Sequence, residues 1–141
     1  MAADNDRPIV TSGATARDET PSHGVKRVSG VSARHTPATK IWFGKVSNLP
    51  GYRSLPHHHG EAETGGYLLS GHGRIYYGKD YAEFVDVRAG DFVFVPPIIP
   101  HIEANMSVTE ELVWITARSP DNIVIDLPDV PDSTLKDFAR A

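Results

Sequence analysis

Residues 56–63 read Pro-His-His-His-Gly-Glu-Ala-Glu, and this run decides how the rest of the chain is interpreted. If residues 57–59 lie on a β-strand, alternation places His57 and His59 on one face of the sheet and His58 on the other. A further histidine, His101, ends the run Pro-Pro-Ile-Ile-Pro-His. Two imidazoles on one face, with a carboxylate just downstream, supply most of the ligands of a transition-metal site.

Composition limits the classes of protein that fit. The 141 residues suffice for one domain, and 40% hydrophobic with 23% charged residues are values typical of a globular chain. The formal net charge is -4 and no Lys/Arg run is present, so nucleic acid is not an expected partner. Because the chain has no cysteine, a metal site has to use imidazole and carboxylate ligands.

The N-terminal segment has the composition of a flexible tail. Residues 1–22 contain almost no large apolar side chain, so they bury too little surface to offset the entropy of ordering. The first residues lack the basic-then-apolar pattern of a signal peptide, and no apolar run approaches the ~18 residues of a membrane span. We therefore expect a cytoplasmic protein without a membrane segment.

The middle of the chain is predicted to be all-β. Short aromatic and β-branched runs, beginning with residues 41–46, recur at intervals of about ten residues and end in Gly, Pro or Asn, as in a sandwich or barrel. After Pro128 and Pro131, residues 133–140 fit a short helix. The predicted organisation is a tail over residues 1–22, a barrel over 23–127 and an extension over 128–141.

Two motifs resemble those of the cupin superfamily. Its first motif is Gly, five residues, His-x-His, three or four residues, Glu, six residues, Gly. Its second is Gly, five residues, Pro-x-Gly, two residues, His, three residues, Asn. The matching residues here are Gly51, His57, His59, Glu63 and Gly71 for the first motif, and Gly90, Pro96, His101 and Asn105 for the second.

This resemblance implies an all-β, double-stranded β-helix barrel of the jelly-roll type, as in small single-domain bacterial cupins. It also implies that His57, His59, Glu63 and His101 converge on one divalent transition metal ion, which is Fe, Mn, Ni, Cu or Zn. One or two coordination positions would stay open for water, dioxygen or substrate. His58 and His72 fit no ligand position.

Two departures from the motifs concern the site. Seven residues separate Glu63 from Gly71 where the family has six, so counting back from Gly71 places Thr64 in the acidic position. A bulge at Gly65-Gly66 would absorb the extra residue, and we expect Glu63 to be the carboxylate ligand. Glu61 is the lesser candidate, and a site without a carboxylate ligand stays open. The second departure is Ile98, which replaces the motif's glycine and changes a turn beside the pocket.

Alternation from His101 adds a residue that the motif does not require. Glu103 is predicted to face the cavity with His101, where a carboxylate can carry protons. In the alternative, Glu103 turns to solvent or pairs with a cation such as Arg53 or Arg74.

The resemblance favours an enzyme, specifically a dioxygenase acting on a small enolisable or aromatic substrate. Three histidines with a glutamate resemble the ligands of cupin dioxygenases that act on flavonols and diketones, with Glu63 or Glu103 as the base. The alternatives are a non-oxidative isomerase, lyase or decarboxylase, and a binding module without turnover. The family also implies a homodimer, in which Trp42 or Phe43 faces the second barrel.

Overall fold

The computed structural model describes residues 7–13, 17–22 and 24–141. In this part of the chain eleven strands form two antiparallel sheets. The six-stranded sheet has the order β1-β2-β3-β10-β5-β8, and the five-stranded sheet has the order β11-β4-β9-β6-β7. The strands are β1 Arg17–Ser22, β2 Val25–Val31, β3 Trp42–Asn48, β4 His57–His58, β5 Glu63–Ser70, β6 His72–Tyr77, β7 Glu83–Arg88, β8 Phe92–Val95, β9 His101–Asn105, β10 Leu112–Ser119 and β11 Ile125–Asp126. The predicted all-β cupin barrel is confirmed.

The main core lies between the two sheets, and strand alternation selects its members. On β10 every second residue is buried, beginning with Leu112 and Trp114 and continuing through Thr116 to Arg118. The apolar members of this core are Val25, Trp42, Val46, Leu68, Ile75, Val87, Val95, Leu112 and Trp114. Toward one end of the barrel these apolar side chains give way to the polar residues of the site.

Residues 128–141, here called the C-terminal strap, cover the outer face of the five-stranded sheet. Leu135 is buried there with Tyr76 and Ile102, which explains why every residue of β9 is buried. Arg53 fastens the strap, since its guanidinium donates to Asp132 at 2.8 Å, to Asp129 at 3.0 Å and to the Val130 carbonyl at 2.8 Å.

The strap contains a single 3-10 turn, Asp132–Thr134, where the sequence predicted a helix over 133–140. The Lys136 carbonyl accepts a hydrogen bond from the Tyr76 hydroxyl at 2.5 Å and another from Arg74 Nη1 at 2.9 Å. These side chains of β6 replace the main-chain donor that a continuing helix would supply. Within residues 7–13, 17–22 and 24–141 no helix is long and apolar enough to cross a membrane.

The segment predicted as a tail contributes an edge strand. β1 (Arg17–Ser22) pairs antiparallel with β2 and closes the edge that β2 would otherwise present. A strand pairs through its main chain, so it forms without the apolar side chains on which the prediction of a tail depended. Residues 1–6, 14–16 and 23 lie outside the described part of the chain.

Ile98 stands where the second motif has glycine, and its backbone adopts a conformation that favours glycine. Its φ is 68°, in the left-handed region that costs a β-branched residue energy. Its N–H donates to the Gly60 carbonyl at 2.8 Å, which joins the loop before His101 to the loop after β4. The strained residue therefore helps to hold two loops that carry site residues.

We expect Ile98→Gly to stabilise the protein by about 1 kcal/mol, since relief of about 1–2 kcal/mol of left-handed strain exceeds the entropic cost of glycine. Ile98 is 54% exposed, so little apolar burial is lost. Thermal denaturation measures the change. Ile98→Ala keeps a Cβ atom and serves as the control, which should show no comparable gain. A glycine variant that is no more stable than the wild type would contradict the backbone strain inferred at Ile98.

Candidate metal centre

Two paired strands bring the three motif histidines together. His57 on β4 lies opposite His101 on β9, and His59 follows directly after β4. The imidazole centroids are 4.4 Å apart for His57 and His101, 4.9 Å for His57 and His59, and 5.1 Å for His59 and His101. Each side chain is at most 2% exposed. Their ligand atoms all lie within 4.8 Å of one another, a spacing that suits one metal ion.

Hydrogen bonds fix which nitrogen of each ring faces the cluster. Nδ1 of His57 lies 2.8 Å from the Leu55 carbonyl, Nδ1 of His101 lies 2.9 Å from the Ile99 carbonyl, and Nδ1 of His59 lies 2.6 Å from the Ile123 carbonyl. A carbonyl only accepts, so each Nδ1 carries the proton and donates it. Each Nε2 then carries a lone pair, which is the arrangement that orients imidazoles around metals, and the lone pair of His59 accepts a hydrogen bond from Arg118.

Burial keeps the three rings neutral. Desolvation is the largest cause that lowers the pKa of His57, of His59 and of His101 below the usual histidine value. The positive charge of Arg118 lowers the pKa of His59 further. Neutral imidazoles bind a cation without first losing a proton. The donor set therefore fits one divalent transition metal ion, with coordination positions left for other ligands.

The structure does not bring Glu63 or Glu61 to this cluster, because both side chains are exposed. The extra residue is absorbed near the far end of β5, where consecutive residues Trp114 and Val113 pair with Leu68 and Ser70. Residues 64–67 pair regularly with β8, so no bulge forms at Gly65-Gly66. Thr64 consequently takes the inward position at 5% exposure. Of the four expected protein ligands, the structure brings together the three histidines.

Glu103 lies in the barrel interior with His101, where alternation places it. Its side chain is 8% exposed, and Oε1 is buried without a hydrogen-bond partner. Its main chain is fixed on both sides by Ser54, whose N–H donates to the Glu103 carbonyl at 2.9 Å and whose Oγ accepts from the Glu103 N–H at 3.0 Å. The cations considered as partners, Arg53 and Arg74, bind the strap instead.

Two arginines of the interior were missed from the sequence. Arg27 on β2 and Arg118 on β10 are each 3% exposed, and the Nε atom of each has no hydrogen-bond partner. Arg118 donates to Asn122 Oδ1 at 2.8 Å and, through Nη2, to the lone pair of His59 Nε2 at 3.3 Å. Alternation from the inward-facing Trp114 would have identified Arg118.

Two cavities adjoin the histidines. A small interior cavity of about 20 Å³ is lined by residues that include His59, Thr64, His101, Glu103 and Arg118. A larger one of about 260 Å³ reaches His101 and is otherwise bounded mainly by apolar side chains, among them Ile75, Val85, Phe94 and Ile99. The inner space holds about one water-sized group. A larger ligand would extend from it into the apolar cavity.

The two remaining histidines of this region lie away from the cluster. His58 Nδ1 accepts a hydrogen bond from the Gly60 N–H at 3.0 Å, and His72 Nε2 lies 2.8 Å from Asp86 Oδ1. Both fill local structural roles, in keeping with the absence of a ligand position for them in the motif.

We expect His101→Ala to abolish stoichiometric metal binding, because a divalent ion would lose one of three protein ligands. Glu63→Ala should retain it, since this carboxylate points away from the rings. Elemental analysis of untagged protein after reconstitution measures both. A metal content that falls in Glu63→Ala as far as in His101→Ala would contradict the three-histidine set.

Solved structures similar to this chain include oxalate decarboxylases. A two-residue deletion mutant of the Bacillus subtilis enzyme is 24% identical, with a TM-score of 0.66, over 79% of this chain and 30% of that one. A four-residue variant of the same enzyme is 25% identical, with a TM-score of 0.64, over 76% and 29%. The formate complex of the Lactobacillus farciminis enzyme is 20% identical, with a TM-score of 0.66, over 79% and 33%. The chain thus spans about a third of the length of these enzymes.

A search among curated proteins gave no match. The family model described as "Cupin domain" matches residues 45–118. This range contains the three histidines, the cavity-lining Glu103 and most of β10. This match covers more than half of the chain, and it agrees with the observed barrel and with the position of the histidines. The chain is a member of the cupin family.

Proposed function

We propose that the protein is a metal-dependent decarboxylase, or a related carbon–carbon lyase, that acts on a small organic acid. The observation that carries the proposal is the arrangement of three inward-facing Nε2 atoms beside an enclosed carboxylate, Glu103. Similar solved structures support it, since they are oxalate decarboxylases, one of them with Mn(II) centres.

His57, His59 and His101 would hold the ion, which supplies Lewis-acid stabilisation of negative charge on the substrate. In the lyase reaction the bond between the carboxylate carbon and its neighbour breaks. Carbon dioxide leaves, and the electron pair stays on the remaining fragment. Glu103, which first takes up a proton from water, then delivers this proton to that fragment. Its position beside His101, without a hydrogen-bond partner for Oε1, leaves it available for this transfer.

The sizes of the two cavities limit which substrates fit the site. A space of about 20 Å³ beside the histidines accommodates a small polar group, and the apolar cavity of about 260 Å³ next to His101 accommodates an aliphatic or aromatic body. We therefore propose an acid that carries a compact apolar group, such as an aryl-substituted 3-oxo acid, ahead of oxalate itself. The 3-oxo group takes up the electron pair as an enolate when carbon dioxide leaves.

A dioxygenase is the second candidate. The apolar cavity that reaches His101 favours it, because dioxygen and enol-forming aromatic compounds partition into such surroundings. Three histidines with open coordination positions also suit that chemistry. Glu103, however, can act as the proton donor that a non-oxidative decarboxylation requires. For this reason we prefer the non-oxidative reaction.

The test is to load the protein with Mn(II) or Fe(II) and to record carbon dioxide release and oxygen uptake over a panel of 2-oxo and 3-oxo acids. We expect carbon dioxide release without stoichiometric oxygen uptake. Glu103→Gln should lower kcat by about 10²–10⁴-fold with unchanged metal content, the range for loss of a general acid. Oxygen consumption equal to substrate loss would favour the dioxygenase, and full activity of Glu103→Gln would contradict the proposed role of Glu103.

We also propose that the chain forms a homodimer through the outer face of the six-stranded sheet. Phe92 is 82% exposed, Phe94 is 60% exposed and Phe43 is 44% exposed. Together with Tyr67 and Ile115 they line one broad apolar groove. The edge strand β8 carries two of them, and an exposed apolar edge is unfavourable in a monomer. Trp42, the alternative contact residue, is fully buried in the core.

The double substitution Phe92→Ser/Phe94→Ser should convert the dimer to a monomer, because it removes the two most exposed aromatic side chains of this face. Light scattering during size-exclusion chromatography measures the mass. Val10→Ser, at a position that is 93% exposed and does not line the groove, is a control that should leave the dimer intact. A wild-type monomer would contradict the proposal.

A further inference from the structure

Arg118 occupies an unusual position for a cation. It lies inside the barrel at 3% exposure and lines the same small cavity as Thr64, His101 and Glu103. Its Nη2 atom donates to His59 Nε2, which is one of the three lone pairs that would bind a metal ion. Among the described residues no carboxylate lies within ion-pair distance of its guanidinium, and its Nε atom has no partner.

Among the side chains that the structure describes, the interior is short of negative charge. Its buried cations are Arg27 and Arg118, whereas Glu103 is the carboxylate that lines the cavity. The position at which the family motif has an acidic ligand is held by Thr64, whose Oγ1 is buried and unpartnered. A divalent ion bound by three neutral imidazoles would add two positive charges to this enclosed space. Buried charge requires compensation, and the protein side chains around the cavity do not supply enough of it.

The hydrogen bond between Arg118 and His59 connects two features of the site: a guanidinium without a carboxylate partner and a metal position without a negatively charged ligand. A lone pair that accepts a hydrogen bond from Arg118 is not available to a metal ion, so metal binding has to release the guanidinium. The released guanidinium then faces the cavity with its Nε and Nη2 donors free, next to a new cation, while Nη1 stays bonded to Asn122. A carboxylate satisfies both groups, because its oxygens accept paired hydrogen bonds from a guanidinium and are good ligands for divalent ions.

We infer that Arg118 is the receptor for the substrate's carboxylate and that, through its contact with His59, it makes the binding of metal and of organic acid cooperative. The ligand is a carboxylic acid in its anionic form. Its carboxylate supplies the negative charge that the motif's acidic side chain would supply at the position held here by Thr64. By linkage, the acid raises the affinity for the metal by the same factor as the metal raises the affinity for the acid. This inference rests on the proposed metal site, and it goes beyond that proposal by assigning a receptor residue and a coupling.

The test measures Mn(II) affinity by isothermal titration calorimetry, with and without saturating benzoate. Benzoate chelates free Mn(II) weakly and carries an apolar body, and benzamide is its neutral counterpart of the same shape. For the wild-type protein we expect benzoate to raise the Mn(II) affinity at least tenfold and benzamide to leave it unchanged. Equal effects of benzoate and benzamide would overturn the inference without any substitution in the protein.

Arg118→Gln removes the guanidinium charge and its paired donors. This variant should lose the effect of benzoate, and its Mn(II) affinity without benzoate should equal or exceed that of the wild type, because the His59 lone pair is free. Arg88→Gln, an exposed arginine of β7, carries the same change of charge and should behave as the wild type. Retention of the benzoate effect in Arg118→Gln would overturn the assignment.

The two proposals fail in different ways. If the wild type binds no Mn(II), or if His101→Ala binds it as well as the wild type, the metal site itself is wrong. If the wild type binds one ion that His101→Ala does not, but benzoate has no effect, the metal site stands and the role of Arg118 falls. A direct titration of the metal-loaded protein with benzoate gives the reciprocal factor and has to agree with the first measurement.

Discussion

The hydrogen bonds between three imidazole Nδ1 atoms and three main-chain carbonyls are the interactions on which the site depends. They fix the tautomer and the rotation of each ring, so the three Nε2 lone pairs meet at one place. Two of these bonds have the same local origin. His57 and His101 each follow a proline and each bond to the carbonyl two residues earlier, in the sequences Leu-Pro-His and Ile-Pro-His. Proline restricts both its own φ and the residue before it, so the carbonyl is held in position for the ring.

This polar arrangement survives inside the barrel because the surrounding structure excludes water on both sides. The two sheets enclose the inner face of β9, and the C-terminal strap covers its outer face. The strap is held by Arg53 and Arg74, whose donors reach carboxylates and carbonyls of residues 129–137. Burial in turn lowers the pKa of the three histidines and keeps them neutral. The strap thus belongs to the structure that buries the strand carrying His101.

The cupin fold and the three histidines could be predicted because they depend on short patterns: alternation along strands and spacing within two motifs. The place of Glu63 could not be predicted in the same way. An extra residue can be absorbed anywhere along β5, and the bulge lies opposite Trp114 and Val113 instead of at the flexible glycines. The partner of His59 is Ile123, which no local pattern connects with the motif. Arg118 follows from alternation along β10, but only once Trp114 is known to face inward.

Ligation by three histidines is tested by the X-ray absorption spectrum of the metal-loaded, untagged protein in a buffer without carboxylates. We expect the metal's nearest neighbours to include three imidazole nitrogens, identified by the outer-shell scattering of their rings, with the remaining positions filled by solvent oxygen. The same spectrum recorded for Glu63→Ala should be unchanged. A spectrum with fewer than three imidazoles, or one that changes when Glu63 is removed, would contradict a site built from these three histidines.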